Sequence, residues 1–456
     1  MAVFSLLKAD SYSFLSKKRV AHIAQSSKGD RMSKVKSGSV WAWLVLIGCI
    51  GFYSIPTGII ANTSGIFVAP VMDQFGWSQT DTTMYRTIQP IVSAICAPFA
   101  GKLLEKYDPR WIMTAVSAVF GLASVASAFA TELWQWNLYG VVFGVTAAFF
   151  MYLAAPVLIN IWFEKGAGIA VSISAATLSL LAAIASPVGQ ALISAYGWQT
   201  ARLVLSLVTT VASVVLCAAF VRKSPSVMNV LPFGASQTGE DAEERSAEEA
   251  AAAVAAAENE GATIEEARKS PAMYTLILVA GIFCMCAAFF QQIPAFCAHG
   301  ELGASVGAMA VSIIMVGGIV GKLLLGALND KIGIQWTGLI ATIGGALGIT
   351  LAWQSGANEA VFYAGMAIFG FGYAGLTVIA PMLTRGTFGP RNYSQIYSWV
   401  STGIFIATAI SFTVYGLIYD NTGSYDGCFM VVIALYVVAA VLVPFTLKAG
   451  NKLWKK

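Results

Sequence analysis

The sequence predicts an all-α membrane protein in which twelve transmembrane helices form two pseudo-symmetric six-helix bundles. Three observations predict it. Twelve long apolar stretches run through 456 residues that are 57% hydrophobic and only 11% charged, against about 25% charged in a soluble protein. Of the 27 Lys and Arg residues, all but Arg86 and Arg202 fall on one side, in every second connection or in the terminal segments. The stretches are unbroken and lack two-residue alternation, so they read as helices rather than barrel strands. In lipid only those two structures satisfy the backbone.

The elements follow in order. The arm 1–40 is polar and basic; its one apolar run, Val3–Leu7, is too short for a signal core, and initiation at Met32 stays open as an alternative. The first bundle, 41–221, holds spans at 41–70, 81–104, 111–130, 134–162, 167–194 and 199–221. The segment 222–272 carries a run of acids from Glu240 to Glu266 around the Ala-rich Ala250–Ala257. That composition favours a solvated helix or disorder, and it reads as a cytoplasmic linker, with a regulatory docking element as the alternative. The second bundle, 273–447, holds spans at 273–297, 304–327, 336–355, 359–384, 393–418 and 426–447. A basic tail, 448–456, ends the chain. By the positive-inside rule both termini are expected in the cytoplasm of a cell bounded by the inner or plasma membrane that holds the protein.

Other function classes find no support. The basic residues flank spans and so are topology signals, not a nucleic-acid footprint. The seven Cys lie in or beside spans with no Cys-x-x-Cys and read as small buried hydrophobes. No metal cluster, nucleotide loop or catalytic triad is present, so an enzyme, a cofactor and a metal site are not expected. The clusters Gly317-Gly318-Gly321, Gly344-Gly345-Gly348 and Gly370-Gly372-Gly375 read as close helix contacts or hinges. Prolines from Pro56 to Pro381 mark kinks.

The halves echo each other. Gly101-Lys-Leu-Leu-Glu105-Lys106 closes the second span, with Arg110 shortly after. Gly326-Ala-Leu-Asn-Asp330-Lys331-Ile-Gly333 closes the eighth, with Lys322 one turn earlier. Two copies of this pattern at matching places in twelve spans resemble the major facilitator superfamily. In the first copy Glu105 replaces the usual Asp and Asp108 replaces the usual Gly. Four further stretches (Phe75–Asp81, Trp162–Ala170, Phe388–Tyr397 and Gly416–Tyr425) resemble the oxalate–formate antiporter and monocarboxylate porter group. The resemblance implies a secondary transporter whose midplane site opens alternately to each side. It implies that Gly101, Glu105, Lys106, Arg110, Lys322, Gly326, Asp330, Lys331 and Gly333 form the conformational gate on the cytoplasmic side, locking the outward-open state. The group's cavity cations on the eighth and eleventh spans are missing here, as is its Asp/Arg pair. The implied cargo is therefore a small monocarboxylate-like anion rather than a strongly chelated dicarboxylate.

Arg86, one to two turns into the second span, is the most informative residue. A charge at the centre of a membrane helix costs roughly 2.5–3.5 kcal/mol by insertion scales, so it reads either as an anion-binding or gate residue or as an interface anchor. Gln89 shares its face. Arg202 is expected as an interface anchor and His299 as a solvated loop residue, with pH sensing as the alternative. The resemblance implies that the first, fourth, seventh and tenth spans line the cavity, which nominates Tyr53, Tyr139, Thr146, Gln291 and Tyr373 as substrate-binding residues. The expected partners are a small-molecule substrate, a counter-substrate or proton, and the lipid bilayer; a monomer is expected. The alternatives are the same fold carrying a neutral or amphiphilic compound, and a non-transporting sensor.

Overall fold

A computed structural model describes residues 36–37, 39–150, 155–163, 167–228, 230–234 and 261–454. Twelve spans are present among them. In the first bundle α1 is a composite rod over 39–75. It runs as α-helix at Ser39–Cys49, widens to π-helix at Ile50–Ser54 and Pro56–Ala61, tightens to 3-10 helix at Ser64–Phe67 and ends as α-helix at Val68–Phe75. Gly76 closes it in the left-handed region (φ 66°), where a side chain would be strained. Next come α2 (Gln79–Lys106), capped by Ser78, and α3 (Pro109–Ala126), capped by Asp108 with Pro109 at its first position. The fourth rod, α4, is formed by Leu133–Phe149 and Ala155–Trp162. The run Ala167–Phe220 is two helices, α5 (167–196) and α6 (198–220), parted by Gly197 at φ 82°, ψ 162°.

The second bundle repeats the plan. The rod α7 is built from Pro271–Ala288, a 3-10 turn at Phe289–Gln292, and Ile293–His299. The run Ala304–Trp353 divides at Gly333 (φ 78°, ψ 164°) into α8 (304–332) and α9 (334–353). Then follow α10 (Glu359–Phe388), α11 (Tyr393–Thr422) and α12 (Asp426–Trp454). Several helices outrun the expected spans: α2 reaches Lys106, α11 Thr422 and α12 Trp454. Their polar ends continue the helix beyond the apolar stretch, and hydropathy registers only that stretch.

One feature departs from an all-helical chain. Lys36–Ser37 (β1) pairs in parallel with Val230–Leu231 (β2), and Phe163 bridges Phe233 beside it. The Trp43, Phe163 and Phe233 rings pack there at 5.4–5.8 Å, folding the start of the linker back onto α1 and α4. The other end of the linker forms a short helix, Ile264–Lys269, with a Thr263/Glu266 capping box. Ala262 N–H donates to Phe388 O (2.8 Å), which ties this end to α10. The Ala-rich run expected as a solvated helix or as disorder lies outside the described residues, as does nearly all of the N-terminal arm.

Among the described residues, buried apolar side chains form two clusters, one centred on Phe52, Phe120, Trp136 and Phe143 of the first bundle and one on Phe283, Phe362, Phe369 and Tyr436 of the second, the latter reaching across to Val68 and Ala182. Lipid gives apolar surfaces no drive to associate, so close packing must hold helices together. The glycine clusters provide it. A Cβ on Gly370 would sit 2.6 Å from Ile314 O of α8, and one on Gly365 would sit 2.6 Å from Ala352 N of α9. These glycines are packing sites that let α10 lie directly on α8 and α9.

Burial singles out two helices. Within α1 and α7, 72% of the most apolar window is buried, against 22% in α2 and 33% in α11. Both central rods depart from α geometry midway. Irregular backbone at membrane depth is tolerated only where protein or a cavity surrounds it, and α1 and α7 meet there.

Candidate functional site

The hydrogen bonds joining the two halves cluster at the end opposite the helix termini Ser39 and Trp454, called here the far end. Ser64 of α1 donates to Gln291 Oε1 of α7. Gln79 Nε2 of α2 donates to Gln292 Oε1 of α7 at 2.7 Å. Thr87 of α2 meets Thr413 of α11 at 3.1 Å. Between α5 and α8, Ser186 donates to Ala308 O at 2.9 Å and Ser312 to Ala183 O at 2.5 Å. His299 at the end of α7 lies 3.6 Å from Asp73 of α1 and stacks on Tyr419 of α11. His299 therefore takes part in an inter-half contact and is not a free loop residue. Toward the terminal end α2 exposes Ile95 and Phe99, and α8 exposes Leu323.

Arg86 sits in this seam. It is 7% exposed, and its Cζ lies 5.1 Å from the Phe412 ring of α11 and 5.8 Å from the Phe143 ring of α4. It thus touches both halves. A cation over an aromatic face gains about 0.5–2 kcal/mol, a fraction of its desolvation cost. The interface-anchor alternative requires exposure to headgroups, and this burial removes it. Gln89 is buried in the same helix.

Arg202 corrects the sequence expectation. It is not an interface anchor: it is 1% exposed, deep in the first bundle. Its guanidinium is 5.3 Å from the Phe67 ring, 5.0 Å from Trp136 and 4.9 Å from Tyr139. Its Nε donates to Ser127 Oγ at 2.6 Å. Three rings and a hydroxyl hold the charge away from the surface.

The other nominated residues separate. Gln291 lies at the α1–α7 contact, and Tyr373 of α10 packs edge-on against Phe290 at 5.5 Å. Tyr53 is half-buried on the π-helical part of α1. Tyr139 lies inside the first bundle among Tyr85, Trp136 and Phe143. Thr146 donates its hydroxyl to its own helix, at Val142 O and Phe143 O. The structure therefore groups Arg86 and Gln291 at the seam but leaves Tyr139 and Thr146 behind it. Phe412 and Thr413 of α11 were not nominated. They sit in the apolar stretch of α11, which carries no charge before Asp420.

The loops expected to form the gate lie at the terminal end. Lys106, Asp330 and Lys331 are exposed, Gly101 and Gly326 are half-buried, and Lys322 is half-buried on α8; the Glu105 side chain lies outside the described residues. Arg110 Nε donates to Ala218 O at 2.7 Å, and its Cζ lies 5.0 Å from the Trp111 ring. Partial burial, then the Arg110 charge beside it, lowers the pKa of Arg222, and Asp108 opposes this. Among the described residues no ion pair joins these loops to the opposite half. The first copy's departure from pattern has a structural equivalent. Where the second half turns through Gly333 at positive φ, the first turns through extended Asp108, which accepts from Arg110 N–H at 2.9 Å.

Known proteins share this frame. Monocarboxylate transporter 12 of Xenopus laevis is 28% identical over 185 residues, 40% of this chain and 39% of that protein. Monocarboxylate transporter 4 of Mus musculus is 27% identical over 187 residues, 40% and 38% respectively. The chain thus spans about two fifths of the length of these relatives. The uncharacterized MFS-type transporter YhjX of Escherichia coli K12 is 23% identical over 322 residues, 69% of this chain and 73% of that one. Among solved structures, a bacterial homologue of the human lysosomal transporter Spinster superposes with a TM-score of 0.65 at 12% identity, covering 91% of this chain and 98% of the other. The nucleoside transporter NupG does so at 0.66 and 11% identity, covering 89% and 99%. At such identities these structures speak to fold alone. The family model of the Major Facilitator Superfamily matches residues 50–334 and 293–453; with twelve spans in two bundles, this chain belongs to the Major Facilitator Superfamily.

Proposed function

We propose that this chain is a secondary active transporter that moves a small monocarboxylate-like anion by alternating access, with both termini in the cytoplasm. One observation carries the reading: Arg86 is a buried cation in the seam between the halves, on rings contributed by both. Ionisable groups inside membrane helices mark substrate or ion pathways by default, and a cation there suits a carboxylate. The sequence likeness to monocarboxylate transporters supports the same cargo class. The polar closure of the far end supports an inward-open state for this conformation. In the opposite state Asp330, Lys331, Glu105, Lys106 and Arg110 would close the terminal end.

The test is counterflow in proteoliposomes with labelled short monocarboxylates, a dicarboxylate and a lipophilic cation, with and without a pH gradient. Monocarboxylate exchange that competing monocarboxylates suppress supports the reading. Exchange of the lipophilic cation alone overturns it in favour of an amphiphilic cargo, which the Phe412, Phe143, Phe290 and Tyr373 rings would also suit. A response to the pH gradient separates proton coupling from anion exchange.

A further inference from the structure

Helix α2 begins with a contact that joins two of the stretches singled out in the sequence, Phe75–Asp81 and Gly416–Tyr425. The first backbone N–H groups of a helix have no partner within it. Ser78 Oγ serves one of them, accepting from Asp81 N–H at 3.0 Å. The two preceding donors are served from the other half of the molecule: Gln79 N–H donates to Asp420 Oδ1 at 2.8 Å, and Thr80 N–H to Asp420 Oδ2 at 2.9 Å. Asp420 lies in the last turn of α11. Its carboxylate thus caps a helix of the opposite bundle with both oxygens, against the positive end of that helix's dipole. Gln79 is fully buried, and its side chain extends the contact. It donates to Gln292 of α7 and accepts from Tyr425 at the mouth of α12. One residue of the first half is therefore held by three helices of the second. Gly416, one turn before Asp420, makes the approach possible, because a Cβ there would sit 2.8 Å from Thr80 Cα.

We propose that Asp420 is the positioning residue of the far-end gate: a carboxylate latch that closes the gate by capping α2 and must release that helix in each cycle. This rests on the alternating-access reading above. The chemistry suits a reversible contact. Charge-assisted bonds to backbone N–H groups are strong when made, and water can replace them at both partners when the halves part. An apolar seam of equal area would offer no such exchange.

The test measures distances between halves by spin labels, without cargo, in a background in which the half-buried Cys96 is replaced by Ser. One label pair, at Glu132 and Glu359, reports the far end; a second, at Lys102 and Lys448, reports the terminal end. Asp420→Ala is expected to shift the population about tenfold toward a wider far end and a narrower terminal end. Asp420→Asn, which keeps an acceptor without the charge, should give a smaller shift in the same direction, and Asp420→Glu should restore most of the closed population. Gly416→Ala perturbs the same seam without touching the charge and should open it likewise, which covers failure of the Asp420 variants to fold. The reciprocal change at the terminal end is the decisive readout, because mere loosening would widen the far end alone. Unchanged distances in Asp420→Ala and Gly416→Ala, or widening confined to the far end, overturn the latch. If no cargo is transported but the reciprocal shift appears, the latch stands and the transport reading falls.

Discussion

At the scale of single residues, two buried arginines show how position decides role. Arg86 and Arg202 both lie in the first half, and both stack on aromatic rings. Arg86 lies between the bundles, with Phe412 of the second half over its guanidinium. Arg202 is enclosed by Phe67, Trp136 and Tyr139 of its own bundle. Replacing Arg86 by Gln is therefore expected to raise the KM for an anionic cargo at least about tenfold, the scale of one lost bond to a charged group. Initial-rate uptake into proteoliposomes checks this, and an unaltered KM would remove Arg86 from the binding site. Replacing Arg202 by Ala leaves a hole under three rings. It should cost on the order of 2–5 kcal/mol, seen as a lower Tm in detergent, with the KM of the remaining folded protein unchanged. Sequence reasoning left Arg86 open between a binding or gate residue and an anchor and expected Arg202 as an anchor, because a charge near a span end looks the same whether it snorkels outward or points into a bundle.

At the scale of elements, the second bundle depends on backbone approach, and the proposed gate on loop charge. The α9–α10 contact leaves no space at Gly365, where a Cβ would meet the backbone of Ala352. Backbone cannot turn aside as a flexible side chain can, so Gly365→Val should destabilise the second bundle by about 1–3 kcal/mol, read as thermal unfolding in detergent. The glycine clusters were legible as close contacts or hinges from their spacing in apolar spans, whereas Gly365 lay outside them. The partners they meet were not, because spacing along one helix does not say which neighbour lies across it. At the terminal end, Asp330 is exposed in the present state. A role confined to the opposite state predicts that Asp330→Asn lowers the transport rate about fivefold or more without reducing the amount of protein in the membrane. Transport at the parental rate would exclude it from the gate.

At the scale of the whole molecule, the proposed alternating access requires that the two ends are never open at once. If Asp420 stabilises far-end closure and Asp330 terminal-end closure, the two removals should oppose each other. Distant sites without shared partners add to within about 0.3–0.5 kcal/mol. The double variant Asp330→Asn/Asp420→Asn is thus expected to give distance distributions between those of the two single variants, which shift them in opposite directions. Spin-label distances at both ends measure this, and a double variant displaced as far as either single one would refute a shared equilibrium. The irregular middles of α1 and α7 fit the same picture. Two central rods that depart from α geometry at the point where the bundles meet can change their contact without unfolding a regular helix.

The sequence by itself determined the membrane class, the twelve spans, the division into two halves and the two copies of the loop pattern. Each of these is written in periodicity, charge placement or local motif, and local chemistry survives without knowledge of the neighbours. Only the tertiary structure decided which residues face the seam. It buried Arg202 inside one bundle, set Tyr139 and Thr146 behind the contact, and brought Phe412 and Thr413 to Arg86 and Thr87. It also carried Asp420 across more than three hundred residues of chain to the start of α2. A lipid-embedded helix is apolar all round, so its sequence does not say which stripe meets lipid, its own bundle or the opposite half. That choice is made by the packing of twelve helices against one another.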